Sequence, residues 1–145
     1  MKTKFAKRLK LLRTQYKLST YKFAKLLNMK SATSISNIEA YRAFPSFEML
    51  CKMVTLFGIS IDWLMGISEV KYNEPLIASI EEELKTKPFI KNNTECLKLL
   101  CSNEERTIEQ RSYIIFKLQY LELEFNKEKE KLDQLLIINL SKLQE

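Results

Sequence analysis

LSTYKFAKLLNMKSATSISNIE, residues 18–39, is the stretch whose reading decides the fold. Ser19 is a natural N-cap for a short helix in which Phe23, Ala24 and Leu27 share the inward face. A polar turn around Asn28–Ser31 separates it from a second helix, predicted over Ala32–Ala40, with Ile35 and Ile38 as its inward pair. The outer face of that second helix carries Thr33, Ser34, Ser36 and Asn37, small polar side chains that no core needs.

Outward from this pair, apolar residues keep recurring three or four apart, and the whole chain holds two glycines and three prolines. An all-β chain would need turn residues at short intervals, so the fold class is all-α. Phe5, Leu9, Leu12 and Tyr16 form the stripe of a first helix from Thr3, a candidate cap, to Tyr16. Pro45 and Ser46 open a fourth helix with Phe47, Leu50, Val54 and Phe57 as its stripe and Gly58 as its stop. Ser60 caps a short fifth helix, IDWLM, closed by Gly66. The sequence thus predicts a five-helix domain over 1–68, a linker at 69–75 (EVKYNEP spans it), and a helical domain over 76–145. In the latter, helices are expected at Pro75–Thr86 and Thr94–Cys101, with a break at Pro88. A long final helix should start from a cap at Asn103, since no Gly or Pro follows.

The net charge of +6 is unevenly spread: residues 1–30 hold ten Lys and Arg and no acid, while 31–74 and 75–145 are each net −2. A positive field confined to one end, beside a row of small polar groups, suits a polyanion and points to double-stranded DNA. Cys51, Cys96 and Cys101 read as reduced thiols in the cytoplasm, buried as small hydrophobes. With no histidine and no metal-knuckle spacing, neither a metal nor a cofactor is expected. No phosphate-cradling glycine loop or nucleophile–base pair is present, so the chain does not read as an enzyme. No segment has the apolar length of a signal peptide or a membrane span.

Four pieces in order, FAKRLKLLR, LSTYKFAKLLNM, SISNIE and PSFEMLCKMVTLFGISIDWLMG, together resemble the Cro/repressor-like helix-turn-helix family over residues 4–66. The resemblance implies that the third helix enters the major groove of DNA. It places Thr20, Ala32, Thr33, Ser34 and Asn37 at base-contacting positions, where Asn37 could pair with adenine and the Thr33 methyl could pack on thymine. Lys17, Ser19, Lys22, Lys30 and Arg42 would meet phosphates. It also implies a structural salt bridge between Arg13 and Glu39. Three departures stand out: Thr20 replaces a usual Gln, Tyr41 a usual Gly, and Met29 to Ile35 is one residue longer than the commonest spacing.

In the C-terminal half, Leu118, Phe125, Leu132 and Asn139 recur at sevens, with Ile115, Leu136 and Leu143 as companions. Glu122 and Lys129 interrupt that row, and the run NKEKEK (126–131), charged on every face, suggests an exposed stretch or a bend near Asn126. Ile115, Leu118, Phe125, Leu132 and Leu136 are therefore expected to line a homodimer seam. The expected function is a sequence-specific transcriptional regulator, a repressor that binds an inverted repeat as a homodimer. The alternative is an antitoxin or adaptor whose C-terminal helices bind a partner protein.

Overall fold

The computed structural model describes residues 2–102 and 105–143 and is all-α. Among the described residues there are nine helices and no strand. The first five are α1 (Lys2–Gln15), α2 (Thr20–Leu26), α3 (Thr33–Glu39), α4 (Phe47–Phe57) and α5 (Ile61–Leu64). They are followed by α6 (Glu74–Thr86), α7 (Pro88–Lys91), α8 (Thr94–Cys101) and α9 (Ile108–Leu143).

Helices α1–α5 close around one core in which Phe5, Leu9, Leu12, Phe23, Ile35, Met53, Phe57 and Leu64 are buried. Ser19, Ser46 and Ser60 cap α2, α4 and α5 by accepting the backbone N–H three residues on. Helices α1, α2 and α3 each end in a left-handed residue that is not glycine: Lys17, Asn28 and Tyr41. At each end the next amide reaches back five residues, to Arg13, Ala24 and Asn37 carbonyls respectively. Those bonds satisfy carbonyls that would otherwise be orphaned. Tyr41 therefore adopts the backbone a glycine would favour, at φ 65°.

Several local expectations need correction. Thr3 lies inside α1 rather than capping it. Phe47 is 78% exposed, so the buried face of α4 is Leu50, Met53, Leu56 and Phe57. Cys51 and Cys101 are exposed, and only Cys96 is buried. The expected cap at Asn103 lies outside the described residues. α9 begins instead after a capping box: Thr107 Oγ1 accepts from the Gln110 amide, and Gln110 Oε1 accepts from the Thr107 amide. Of the two expectations for the NKEKEK run the exposed stretch holds: α9 continues as one helix through it, with residues 126–131 all exposed.

Segment 69–75 is pinned to the end of α4 rather than hanging between halves. Tyr72 pairs with Ile59 in an isolated antiparallel bridge, and the Asn73 amide donates to the Gly58 carbonyl at 3.0 Å. A second core forms from Ile77, Ile80, Leu84, Ile90 and Cys96. α9 joins both cores: Phe116 stacks on Phe57 at 5.3 Å in the first, while Ile115 and Leu118 lie in the second. Gly58 sits at this junction at φ 66°, where an added Cβ would stand 2.3 Å from Ile77 Cγ1.

α9 also caps α4. Ser112 Oγ donates to the Phe57 carbonyl at 2.6 Å and bonds the Tyr16 hydroxyl at 2.7 Å. Gln119 Nε2 donates to the Leu56 carbonyl at 3.2 Å. Carbonyls left over at the end of α4 are thereby satisfied by side chains far along the chain. Burial pushes the Tyr16 phenol up to about 12, since the interior disfavours the phenolate. Arg111 anchors the same region through Glu74 and Glu81, which together hold its guanidinium charged.

Candidate nucleic-acid interface

The frame that aims α3 is set by one ion pair between helices. Arg13 Nε donates to Glu39 Oε1 at 2.6 Å and its Nη2 to Oε2 at 3.2 Å, a two-point grip. The two side chains are only 13% and 10% exposed, and Arg13 Nη1 also donates to the Leu18 carbonyl at 2.8 Å. One guanidinium thus ties the end of α1, the entry to α2 and the end of α3 together. Ile35 and Ile38 fix which face of α3 turns inward.

With those faces buried, Thr33 and Ser36 are exposed, while Ala32, Ser34, Asn37 and Thr20 are half-buried. Ala32 occupies the N-cap of α3 and makes no side-chain capping bond. The Thr33 and Ser34 hydroxyls are therefore not used to start the helix, although both residue types are strong caps elsewhere. Thr20 is the first residue of α2, one step after the Ser19 cap. Ser19 Oγ accepts from the Lys22 amide at 3.1 Å, which leaves its own hydroxyl proton available to a phosphate oxygen.

Asn37 is oriented by its neighbour. Arg42 Nε donates to Asn37 Oδ1 at 3.2 Å, and the Arg42 amide donates to the Asn37 carbonyl at 2.9 Å. Arginine offers only donors, so the amide oxygen must face it. The Asn37 amide nitrogen is then left pointing elsewhere, with a second lone pair still free on the oxygen. An adenine edge requires this donor-plus-acceptor combination. Sequence reading paired Asn37 with DNA but missed this bond, whose spacing of five becomes close only because the chain reverses at Tyr41.

Lys17, Lys22, Lys30 and Arg42 are all exposed. Lys25, which the sequence did not single out, lies over the Tyr21 ring at 4.6 Å, and a hydrogen bond with the Tyr21 side chain raises its pKa. Among the described residues no group of side chains could hold a metal ion. No described helix is long and apolar enough to cross a membrane.

The expected seam of α9 divides in two. Ile115 and Leu118 are 0% and 1% exposed inside the protomer, packed with Ile77 and Ile80, and cannot line a surface between copies. Their heptad positions serve an intramolecular partner instead. Phe125 meets Phe89 ring to ring at 4.8 Å while remaining 48% exposed. Leu132 and Leu136 are more than half exposed, and past Glu122 every described residue of α9 is exposed.

Residues 6–66 match a protein family described as a helix-turn-helix domain. No curated protein and no solved structure matches the chain. The matched segment runs from α1 through α5 to Gly66 and encloses the Arg13–Glu39 pair and the polar face of α3. By these features, residues 6–66 are a helix-turn-helix domain consistent with the Cro/repressor-like family.

Proposed function

We propose that this protein is a homodimeric transcriptional repressor that reads an inverted-repeat operator through α3. A helix-turn-helix domain marks a DNA-binding regulator, and families of this kind are generally not enzymes. The observation that carries the base-reading part is the polar edge of α3. Thr33 and Ser34 are spared from capping, and Asn37 is held by Arg42 with its amide nitrogen unused. In this reading Asn37, Thr33 and Ser34 touch base edges, with Ala32 and Thr20 alongside. Lys17, Ser19, Lys22, Lys30 and Arg42 engage phosphates and set the register.

Dimerisation is assigned to the distal part of α9. Leu132, Leu136 and Leu143 fall on one stripe around Asn139, an exposed span of about 17 Å along the helix beyond the interruption at Lys129. A stripe this long and apolar is unusual for a surface that stays in water. A single polar residue inside such a stripe is a common device for fixing register and strand number. Pairing two readers raises apparent affinity through effective concentration and imposes a spacing between half-sites. The same bare stripe also favours a second reading, in which it receives a different protein.

Selection of bound sites from random duplex DNA, combined with light scattering at micromolar concentration, tests the proposal. One inverted repeat bound by a dimer is the expected result. A monomer that acquires order only with a co-purifying chain would favour the second reading, and binding without sequence preference would remove the base contacts.

A further inference from the structure

Where α9 passes the corner between α1 and α2 it leaves a cleft of about 310 Å³. Lys17 and Lys22 line it from the helix-turn-helix side and Lys117 from α9, with Tyr16, Tyr113 and Tyr120 among its walls. No carboxylate lines it. The Lys117 ammonium lies 5.7 Å from the centroids of both the Tyr113 and Tyr120 rings, which hold it at the cleft. Elsewhere on α9, Arg111, Lys127 and Lys131 each pair with a glutamate. Lys17, Lys22 and Lys117 make no ion pair among the described residues. Three lysines from segments a hundred residues apart thus line one cleft that no carboxylate lines, an arrangement that favours an anion. The cleft also adjoins the start of α2, since the Lys22 amide is the donor to the Ser19 cap.

We infer that this cleft is a phosphate site that brings α9 into the DNA interface, with Lys117 joining Lys17 and Lys22 on one backbone phosphate. The inference rests on the DNA-binding reading above and adds to it a contact outside the helix-turn-helix domain. Lysine suits the task as a mobile point charge for a phosphate oxygen. The volume also accommodates a free nucleotide, whose phosphate is the other source of the same chemistry.

The test measures DNA affinity against salt concentration for wild type, Lys117→Gln and Lys91→Gln. Lys91 is an exposed lysine of α7, outside both the cleft and α9, and serves as the charge-matched control. For Lys117→Gln, binding to the selected site and to a scrambled duplex should weaken by the same factor, about three- to tenfold near 0.1 M salt. The slope of log affinity on log salt should shrink by about 0.9 for each protomer bound. Lys91→Gln should change neither, and all three proteins should unfold at the same temperature.

A second arm adds inorganic phosphate or adenosine monophosphate at matched ionic strength and follows the Tyr113 and Tyr120 ring resonances. A response lost in Lys117→Gln, with the DNA slope unchanged, supports the phosphate site and assigns it to a free ligand. If neither the DNA slope nor the phosphate response depends on Lys117, the inference is overturned. That result would leave a sequence-selective wild type intact, whereas loss of sequence preference in the wild type would break the DNA-reading proposal itself.

Discussion

The two parts of α9 are built from similar residues and differ in what covers them. In the first, Ser112, Ile115, Phe116 and Leu118 are buried against α4, α6 and the Tyr16 ring. In the second, Leu132, Leu135, Leu136 and Leu140 are about as apolar and at least half exposed. One continuous helix therefore serves as a strut inside the protomer and as a rod outside it. Apolar periodicity reports that a face wants a partner, and tertiary geometry decides whether that partner is in the same chain.

The sharpest way to break this contrast is to truncate each part. Phe116→Ala should cost about 3–5 kcal/mol of protomer stability, measured by urea unfolding, because it empties a site against Phe57 and Tyr16. A cost below about 1 kcal/mol would mean that the first part of α9 is not integral to the core. Arg13→Ala belongs on the same scale, about 3–5 kcal/mol, since it strands Glu39 at low exposure and frees the Leu18 carbonyl. Its thermal midpoint should fall clearly, and an unchanged midpoint would contradict the structural role of the pair.

In the distal part the pattern should invert. The double substitution Leu132→Ser with Leu136→Ser should leave unfolding of the protomer, compared at concentrations low enough that both proteins are monomers, within about 0.5 kcal/mol of wild type. It should nevertheless convert the dimer to a monomer by light scattering and lower apparent DNA affinity about a hundredfold. Persistence of the dimer would move the interface elsewhere.

A gentler probe uses the Tyr16 hydroxyl, which belongs to the buried contact of α9 with Ser112. Its pKa is raised from 10.0 to about 12 by burial, so the folded state holds the proton more tightly than the unfolded one. This contribution to stability is whole below about pH 10 and fades as pH rises towards 12. Tyr16→Phe should remove that part of the alkaline decline, which is followed by unfolding curves between those limits. An identical decline in the variant would show that Tyr16 is not the responsible group.

Much of the fold was legible because its signals are local. The stripe Phe5, Leu9, Leu12 and Tyr16, the Ser19, Ser46 and Ser60 caps and the stop at Gly58 all depend on neighbours within a few residues. Phe47 misled because a stripe read at the first turn of a helix does not say where the core edge falls. Asn103 has the residue type of a helix cap, yet Thr107 and Gln110 form the reciprocal cap of α9. Ile115 and Leu118 fit a seam between copies as well as a seam against Ile77 and Ile80, and only the turn of the chain through 69–75 separates the two. At the candidate site, the elements that carry Thr33, Ser34 and Asn37 could be read from the sequence. The Arg42 bond to Asn37 and the sharing of one cleft by Lys17 and Lys117 could not, since both depend on how the chain folds back.

The central claim is that the early face of α3 reads bases while the lysines around it bind backbone. The most direct measurement compares the affinity of Asn37→Ala with that of wild type on the selected operator and on a scrambled duplex, across a range of salt. The expected result is a loss of about 1–3 kcal/mol on the operator, almost none on the scrambled duplex, and an unchanged salt slope. An equal loss on both duplexes, or none on either, would contradict it.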